Sequence, residues 1–167
     1  MRLSLFDMTI IEDTRQQTGK HNLKQAYFAE HNIKVVRSKL PVGDYANIKD
    51  LSVIVDTKKD IQEIIWNVTK QHKRFIAECE LAKESDIKLI VLIENKDGVK
   101  SISDLYNWYN YRKRYSPKAT TGATLAKILH GISIRHGVTF EFCSPADAGA
   151  KIIELLPEGS EKVDRLV

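Results

Sequence analysis

Two patterns of apolar residues alternate along the chain. Short apolar runs rich in β-branched residues predict strands, whereas apolar positions that recur every three or four residues predict helices. The predicted strands are Met8–Glu12, Ile33–Arg37, Leu51–Val55, Ile87–Ile93 and Val138–Phe142. The predicted helices are Asn22–His31, Asp60–Lys83, Asp104–Tyr109, Gly122–His136 and Ala146–Leu156. This order predicts an α/β fold with a mixed central sheet that is flanked by helices.

The segment Gly43–Lys58 is the part of the sequence around which the rest is organised. A polar turn near Asp50 separates two extended stretches, which predicts a tight hairpin. If the turn centres on Asp50, Asp44 lies opposite Asp56 on the same face of the hairpin. Lys58 follows two residues later, so the strand period of two places its side chain on that face as well. The sequence therefore predicts two carboxylates and one ammonium group at one end of the sheet.

This trio of side chains suits the hydrolysis of phosphodiester bonds. Paired carboxylates suit Mg²⁺ or Mn²⁺, because such ions keep several waters and accept phosphate oxygens as further ligands. An ion held by Asp44 and Asp56 would activate a water, and Lys58 would orient that water or offset the developing charge. Asp13, at the end of the first strand, would assist as a ligand or as an orienting group. The alternative is a hairpin with surface acids and a solvated lysine.

Three motifs follow one another in the first third of the chain. They are Ile10-Ile11-Glu12-Asp13-Thr14-Arg15, Leu40-Pro41-Val42-Gly43-Asp44-Tyr45 and Val55-Asp56-Thr57-Lys58. In this order they resemble the nuclease domain of the XPF family, one of the PD-(D/E)xK nucleases, and the resemblance extends from about Thr9 to Glu94. It implies a restriction-endonuclease-like fold and a metal-dependent DNA endonuclease, with selectivity for branched or flapped DNA and a role in repair or recombination as further expectations.

The sequence departs from the family pattern at three positions. Gln16 stands where the family usually has Glu, Thr57 where it has Arg, and Gln62 where it has a trailing Asp. The loss of the acid at position 16 predicts one tightly held ion and at most a weak second ion near Asp13. One turn further on, Asp60 or Glu63 could replace the trailing carboxylate.

Basic residues in three parts of the chain are candidate nucleic-acid contacts. One group lies beside the proposed site, one on the predicted long helix, and one in Tyr109–Lys118, where basic and aromatic residues interleave. Such a stretch can bind phosphates while its rings stack on bases. The alternative is an exposed basic loop whose tyrosines and Trp108 pack inward. The predicted contacts are Arg15, Lys59, Lys73, Arg74, Arg112, Lys113, Arg114 and Lys118.

Composition limits the broader possibilities. The 167 residues include 26 basic and 22 acidic side chains, a net charge of +4 that is compatible with a polyanionic partner. Two cysteines, Cys79 and Cys143, do not make a disulfide framework, and no apolar run is long enough for a membrane span. We expect a single nuclease domain at residues 1–157, a loose polar tail at 158–167, and a location in the cytoplasm of a bacterium or a phage-infected host.

The resemblance leaves several alternatives open. The family includes inactive partner subunits, so a non-catalytic DNA- or protein-binding module on the same fold is the second hypothesis. The presence of Asp44, Asp56 and Lys58 favours catalysis, because inactive members tend to lose the metal-binding carboxylates. RNA is an alternative substrate, since the metal chemistry would be the same, and a homodimer is also open. The chain resembles the stand-alone phage and bacterial members of the group.

Overall fold

The computed structural model describes residues 8–158. In this part of the chain six strands form one mixed sheet, which confirms the predicted mixed central sheet, and their order is β2-β1-β3-β4-β5-β6. The strands are β1 (Thr9–Glu12), β2 (Lys34–Arg37), β3 (Tyr45–Asn47), β4 (Asp50–Lys58), β5 (Lys88–Glu94) and β6 (Thr139–Cys143). The α-helices are α1 (Asn22–Glu30), α2 (Ile61–Val68), α3 (His72–Glu84), α4 (Gly122–His136) and α5 (Ala148–Leu155). The predicted tail, apart from Glu158, lies outside the described residues.

Helices cover both faces of the sheet, and β5 is buried between them. Leu89, Val91 and Ile93 pack into the core that α2, α3 and α4 cover, whereas Ile90 and Leu92 pack into the core beneath α1 and α5. The alternation follows the strand period of two. A continuous apolar run is therefore required at β5, because both of its faces are removed from water. None of the described helices is long and apolar enough to cross a membrane.

The β3–β4 hairpin has the predicted register at the end that carries the proposed site. Tyr45 pairs with Val55 and Ala46 pairs with Ile54 in an antiparallel ladder. Nearer the turn the register shifts after Ala46, and Asn47 pairs with Asp50. This irregularity leaves the open end unchanged, so Asp44 and Asp56 each lie one residue beyond the Tyr45–Val55 pair.

The prediction of one continuous helix over Asp60–Lys83 is wrong, because the structure has two helices with a break between them. At the break the Thr69 hydroxyl donates a 2.7 Å hydrogen bond to the carbonyl oxygen of Ile65, and the Gln71 amide reaches back to the carbonyl of Trp66. The Thr69 amide still makes the regular bond to the Ile65 carbonyl, so the irregularity lies at the Gln71 amide, which bonds five residues back and not four. The apolar stripe continues across the break, which is why periodicity alone does not reveal it.

Helix α4 begins and ends at the predicted residues. The Thr121 hydroxyl caps its first turn by accepting from the Thr124 amide, and Gly137 ends it in the left-handed conformation. At its start, a Cβ on Gly122 would lie 2.0 Å from the carbonyl oxygen of Leu105 and 2.7 Å from that of Trp108. The absence of a side chain therefore lets α4 begin directly against the preceding turn, which is a 3₁₀ helix at Ser103–Asn107.

Candidate active site

A cleft of about 930 Å³ opens where β4 ends, between the turn before β3 and helix α3. Its walls come from the end of β1, the start of α1, the hairpin and the first turn of α2 as well as from α3. Six residues predicted from the sequence line it: Asp13, Arg15, Asp44, Asp56, Lys59 and Arg74. The fold therefore brings together the three predicted carboxylates and part of the predicted basic set.

Asp56 and Lys58 form a buried ion pair. Lys58 Nζ lies 2.9 Å from Asp56 Oδ2, and the two side chains are 11% and 8% exposed. The contact is close but poorly aligned, so Asp56 Oδ2 has no well-directed hydrogen bond within the described residues. Burial and the neighbouring Asp44 carboxylate raise the pKa of Asp56 well above its ordinary value, and Lys58 only partly opposes this. The site therefore holds a carboxylate that would gain from a further positive charge.

Thr57 holds the carboxylate of Asp44. The backbone amide and the hydroxyl of Thr57 donate hydrogen bonds of 2.7 and 2.8 Å to Asp44 Oδ2. Within the described residues Asp44 Oδ1 accepts no hydrogen bond, and it remains available to a ligand in the cleft. The residue that replaces the family's usual arginine thus orients one of the two central carboxylates.

Asp13 has different surroundings, although it also borders the cleft. Its Oδ2 accepts from the amide and Nε of Arg15, at 3.0 and 2.6 Å, and its Oδ1 accepts from the Leu40 amide at 2.8 Å. Burial alone would raise the pKa of Asp13, but these hydrogen bonds outweigh it and lower the pKa. Asp13 therefore fastens the segment before the hairpin to the end of β1, and its predicted role as a metal ligand stays a prediction.

Glu78 on α3 is a cleft residue that the sequence analysis does not identify. Its Oε1 accepts a 3.0 Å hydrogen bond from the amide of Gly43, the residue before Asp44. Gly43 has a φ of 66°, and a Cβ there would lie 2.7 Å from Cγ2 of Ile54, so the turn needs glycine. Glu78 lies four residues after Arg74, and this helical spacing could have indicated that the two share a face.

Buried charges continue along the α1 side of the cleft. Lys24 Nζ is 2.8 Å from Glu94 Oε2, and both side chains are almost fully buried. Glu94 ends β5, which runs parallel to β4, and the ends of neighbouring parallel strands meet at one edge of the sheet. That topology could have indicated Glu94, whereas Lys24 appears in the sequence as an ordinary helix-surface lysine.

The two candidates for a trailing carboxylate have separate roles. Asp60 caps α2, because its Oδ1 accepts a 2.8 Å hydrogen bond from the amide of Glu63. Glu63 itself lines the cleft, and burial raises its pKa. Of the two, Glu63 is the carboxylate that is placed to face a ligand.

The central carboxylates fit one divalent ion. In the described part of the chain no three His, Cys, Asp or Glu side chains are arranged to hold a metal between them. Mg²⁺, however, is commonly bound through one or two carboxylates together with waters and substrate phosphates. The free Oδ1 of Asp44 and the under-bonded carboxylate of Asp56 supply such a pair. The donor set therefore fits a partly hydrated ion and not an all-protein cage.

The remaining predicted nucleic-acid contacts lie outside the cleft lining. They are Lys73, Arg112, Lys113, Arg114 and Lys118. In the aromatic stretch, Tyr109, Tyr111 and Tyr115 are exposed, so the alternative in which they pack inward is wrong for them. Trp108 is half-buried against the core, and its Nε1 donates a 2.9 Å hydrogen bond to Asp97.

Comparisons with known proteins identify the fold and the family of this chain. One similar solved structure is XPF from Aeropyrum pernix, with 14% sequence identity and a TM-score of 0.64 over 95% of this chain and 66% of that one. Another is XPF from Aeropyrum pernix in complex with DNA, with 15% sequence identity and a TM-score of 0.62 over 89% of this chain and 62% of that one. The chain thus spans slightly less than two thirds of each, and the likeness confirms the restriction-endonuclease-like fold. No curated protein matches the sequence. The model of the ERCC4 domain matches residues 12–156, and the chain therefore belongs to the ERCC4 domain family.

Proposed function

We propose that this chain is a metal-dependent DNA endonuclease that hydrolyses phosphodiester bonds at the cleft. The ERCC4 domain family is a nuclease family, and the fold brings Asp44 and Asp56 to one cleft with Lys58 beside Asp56. The observation that carries the proposal is the cleft in which Asp44 has a free oxygen and Asp56 lies beside Lys58 without a directed hydrogen bond.

In this proposal Asp44 and Asp56 hold one Mg²⁺ or Mn²⁺ ion. When bound, the ion would polarise a phosphoryl oxygen and lower the pKa of a coordinated water. Thr57 keeps the Asp44 carboxylate oriented, and Lys58 keeps a positive charge beside the place where negative charge develops. Lys58 acts as an electrostatic stabiliser and not as a base, because its pairing with Asp56 favours the ammonium form.

The basic residues of the cleft lining would bind the nucleic-acid backbone. Arg15, Lys59 and Arg74 line the same cleft as the carboxylates and can neutralise phosphates on either side of the scissile bond. One of the similar structures is a complex with DNA, which supports DNA as the substrate class. Selectivity for branched or flapped DNA, a role in repair or recombination, and a homodimer belong to this proposal as expectations, and RNA is its alternative substrate.

The direct test is a cleavage assay. Purified protein with Mg²⁺ is incubated with labelled single-stranded, duplex, flapped and four-way DNA, with a single-stranded RNA in parallel, and the products are compared on one gel. Cleavage that stops with a chelator and with Asp44→Asn supports the proposal. The absence of cleavage on all substrates, with Mg²⁺ and with Mn²⁺, would overturn it.

The number of bound ions is a second test of the site. We expect one tightly held ion between Asp44 and Asp56, because the carboxylate of Asp13 already accepts three hydrogen bonds. Anomalous scattering from crystals soaked in Mn²⁺ would locate the ions. Two fully occupied positions about 3.5–4 Å apart would contradict a one-ion site.

The second candidate is a non-catalytic DNA-binding module on the same fold. The lack of a three-ligand metal cluster among the described residues favours it. The same gel separates the two candidates, because such a module would retard DNA without cutting it.

A further inference from the structure

The exposed segment after the 3₁₀ turn is held by a buried side chain, Asn110. Its Oδ1 accepts from Nε2 of Gln62 at 2.8 Å and from the Arg112 amide at 3.1 Å, and its Nδ2 donates to the Thr120 carbonyl at 2.8 Å. Gln62 lies in the first turn of α2, only four residues after Lys58. The segment is therefore fixed relative to the end of β4, where the cleft opens.

Three tyrosines project from this fixed segment into solvent. Tyr109, Tyr111 and Tyr115 are 62%, 52% and 83% exposed. Their rings stack on no other ring and their hydroxyls make no hydrogen bond within the described residues. The packing of this domain does not account for their exposure, so the rings are free to contact a partner.

The charged residues within the tyrosine-containing stretch have one sign. No Asp or Glu occurs between residues 105 and 120, and the side chains of Arg112 and Arg114 make no ion pair or hydrogen bond within the described part of the chain. Lys113 is different, because its Nζ donates a 2.7 Å hydrogen bond to the Pro117 carbonyl. Two unpaired arginines among exposed rings, in a stretch of sequence that contains no acid, complement a partner that combines phosphates with flat bases.

This combination favours unpaired bases over a duplex. A duplex presents phosphates to arginine but keeps the faces of its bases stacked inside, where tyrosine rings cannot reach them. In a single strand each base has a free face, and stacking on an aromatic ring stabilises the complex with little dependence on sequence. Arginine alone would serve for a duplex, so the exposed rings indicate a single strand.

We propose that Tyr109, Tyr111, Tyr115, Arg112 and Arg114 form a stacking surface for single-stranded nucleic acid. The surface would hold an unpaired strand at a fixed position relative to the cleft, through the Asn110–Gln62 bond. Its binding function is independent of catalysis. Its use in placing a strand for cleavage rests on the proposed nuclease function.

The test measures binding in the Asp44→Asn background with a chelator, so that a failure of the proposed cleavage does not affect it. Fluorescence anisotropy compares labelled dT20, rU20 and a 20-base-pair duplex. The triple variant Tyr109→Ser, Tyr111→Ser, Tyr115→Ser is compared with the matched triple Tyr→Phe variant, which keeps the rings. Because the side chains are exposed, both variants should fold, and thermal unfolding checks this.

We expect the Ser variant to lose roughly tenfold in affinity for each base stack removed, on dT20, rU20 or both. Its duplex affinity should stay within about twofold, and the Phe variant should bind like the parent. Unchanged single-strand binding by the Ser variant would overturn the proposal. So would an equal loss on the duplex, or a Phe variant as weak as the Ser variant, because either result would mean that stacking is not the source of the affinity.

Discussion

Asp13, just after β1, and Asp56, near the end of β4, are both buried aspartates at one edge of the sheet. They differ in the number of hydrogen-bond donors around them. Asp13 accepts hydrogen bonds from two backbone amides and a guanidinium group, and its pKa is lowered. Asp56 has one poorly aligned ion pair and a second carboxylate nearby, and its pKa is raised. One carboxylate is satisfied by the protein, and the other is not.

The two aspartates illustrate the difference between a carboxylate that stabilises the fold and one that is available to bind a ligand. A carboxylate with a full set of donors favours the folded state and has little to gain from a ligand. A carboxylate that is desolvated and crowded by another acid opposes folding near neutral pH, and a bound cation relieves that cost. The cleft borders both kinds, so position in the cleft alone does not identify a catalytic group.

The largest expected effect is on cleavage. Asp56→Asn or Asp44→Asn should lower the rate on the order of 10³-fold or more, because each removes a proposed ligand of the ion that would stabilise the transition state. Lys58→Ala should also lose activity but still bind Mn²⁺. Asp86→Asn is the matched control, since Asp86 is an exposed aspartate on the turn after α3. Single-turnover kinetics measure the rates, and wild-type cleavage by Asp44→Asn would disprove the assignment.

Stability should respond in the opposite way at the two sites. Asp13→Ala should lower the free energy of unfolding by about 2 kcal/mol, because it leaves the buried amide of Leu40 without an acceptor and also removes the acceptor of Arg15. The double variant Asp56→Asn/Lys58→Met should be at least as stable as the parent, since it replaces a buried ion pair with neutral groups. Urea unfolding measures both, and equal losses at the two sites would remove the distinction.

The pH dependence of the Asp13 variant sharpens this prediction. Because the pKa of Asp13 is lowered in the folded state, its charge stabilises the protein above the pKa of the unfolded chain. That contribution is lost as the pH falls through the lowered value. The stability difference between wild type and Asp13→Ala should therefore be constant near neutral pH and narrow in acid. A difference that widens below pH 4 would contradict the expected direction.

Glu78 offers a smaller test of what orients the catalytic carboxylates. Glu78→Ala removes the acceptor of the Gly43 amide and should lower the cleavage rate roughly tenfold by loosening the turn that holds Asp44. Glu78→Gln keeps an acceptor oxygen without the charge, and a near-normal rate would show that the hydrogen bond matters. If Gln were as slow as Ala, the charge of Glu78 would be its contribution, and Glu78 would resemble Asp56 more than Asp13.

The smallest expected effect is on the salt dependence of nucleic-acid binding, which compares the exposed arginines Arg112 and Arg114 with the buried Lys58. Arg112→Gln/Arg114→Gln should lower the magnitude of the negative slope of log affinity against log salt by about 0.9 per lost contact on a duplex and about 0.7 on a single strand. Lys58→Met should leave the slope unchanged, because Lys58 is buried and paired. Salt titrations of binding, in the Asp44→Asn background, give both slopes. Parallel slopes for the arginine variant and the parent would mean that these arginines do not contact phosphate.

Local signals explain why much of the fold is readable from the sequence. The cap at Thr121 and the glycine at position 137 define both ends of α4. The turn near Asp50 defines the hairpin register up to the site. The break after Val68 is not readable from the sequence, because the apolar stripe does not show that the Gln71 amide bonds to the carbonyl of Trp66.

Some residues of the candidate site can likewise be predicted from local sequence patterns, whereas others depend on tertiary packing. Asp44, Asp56 and Lys58 are found from strand alternation, which is a local property. Glu78 and the Lys24–Glu94 pair depend on how helices pack over the end of the sheet. The difference between Asp13 and Asp56 is also tertiary, since it depends on an amide supplied by Leu40, many residues away along the chain.

The close contact of Gly122 with the carbonyls of Leu105 and Trp108 also indicates where this domain can accept insertions. Leu105 and Trp108 lie against Gly122 on one side, and the side-chain amide of Asn110 donates to the Thr120 carbonyl on the other. The segment between 110 and 120, which consists of a 3₁₀ helix at Tyr111–Arg114 and irregular chain, is therefore held at both ends. The entropy of closing such a loop changes only slowly with its length. We expect insertions and replacements there to leave the sheet and cleft intact, so the proposed strand-binding surface could change without a change in the candidate active site.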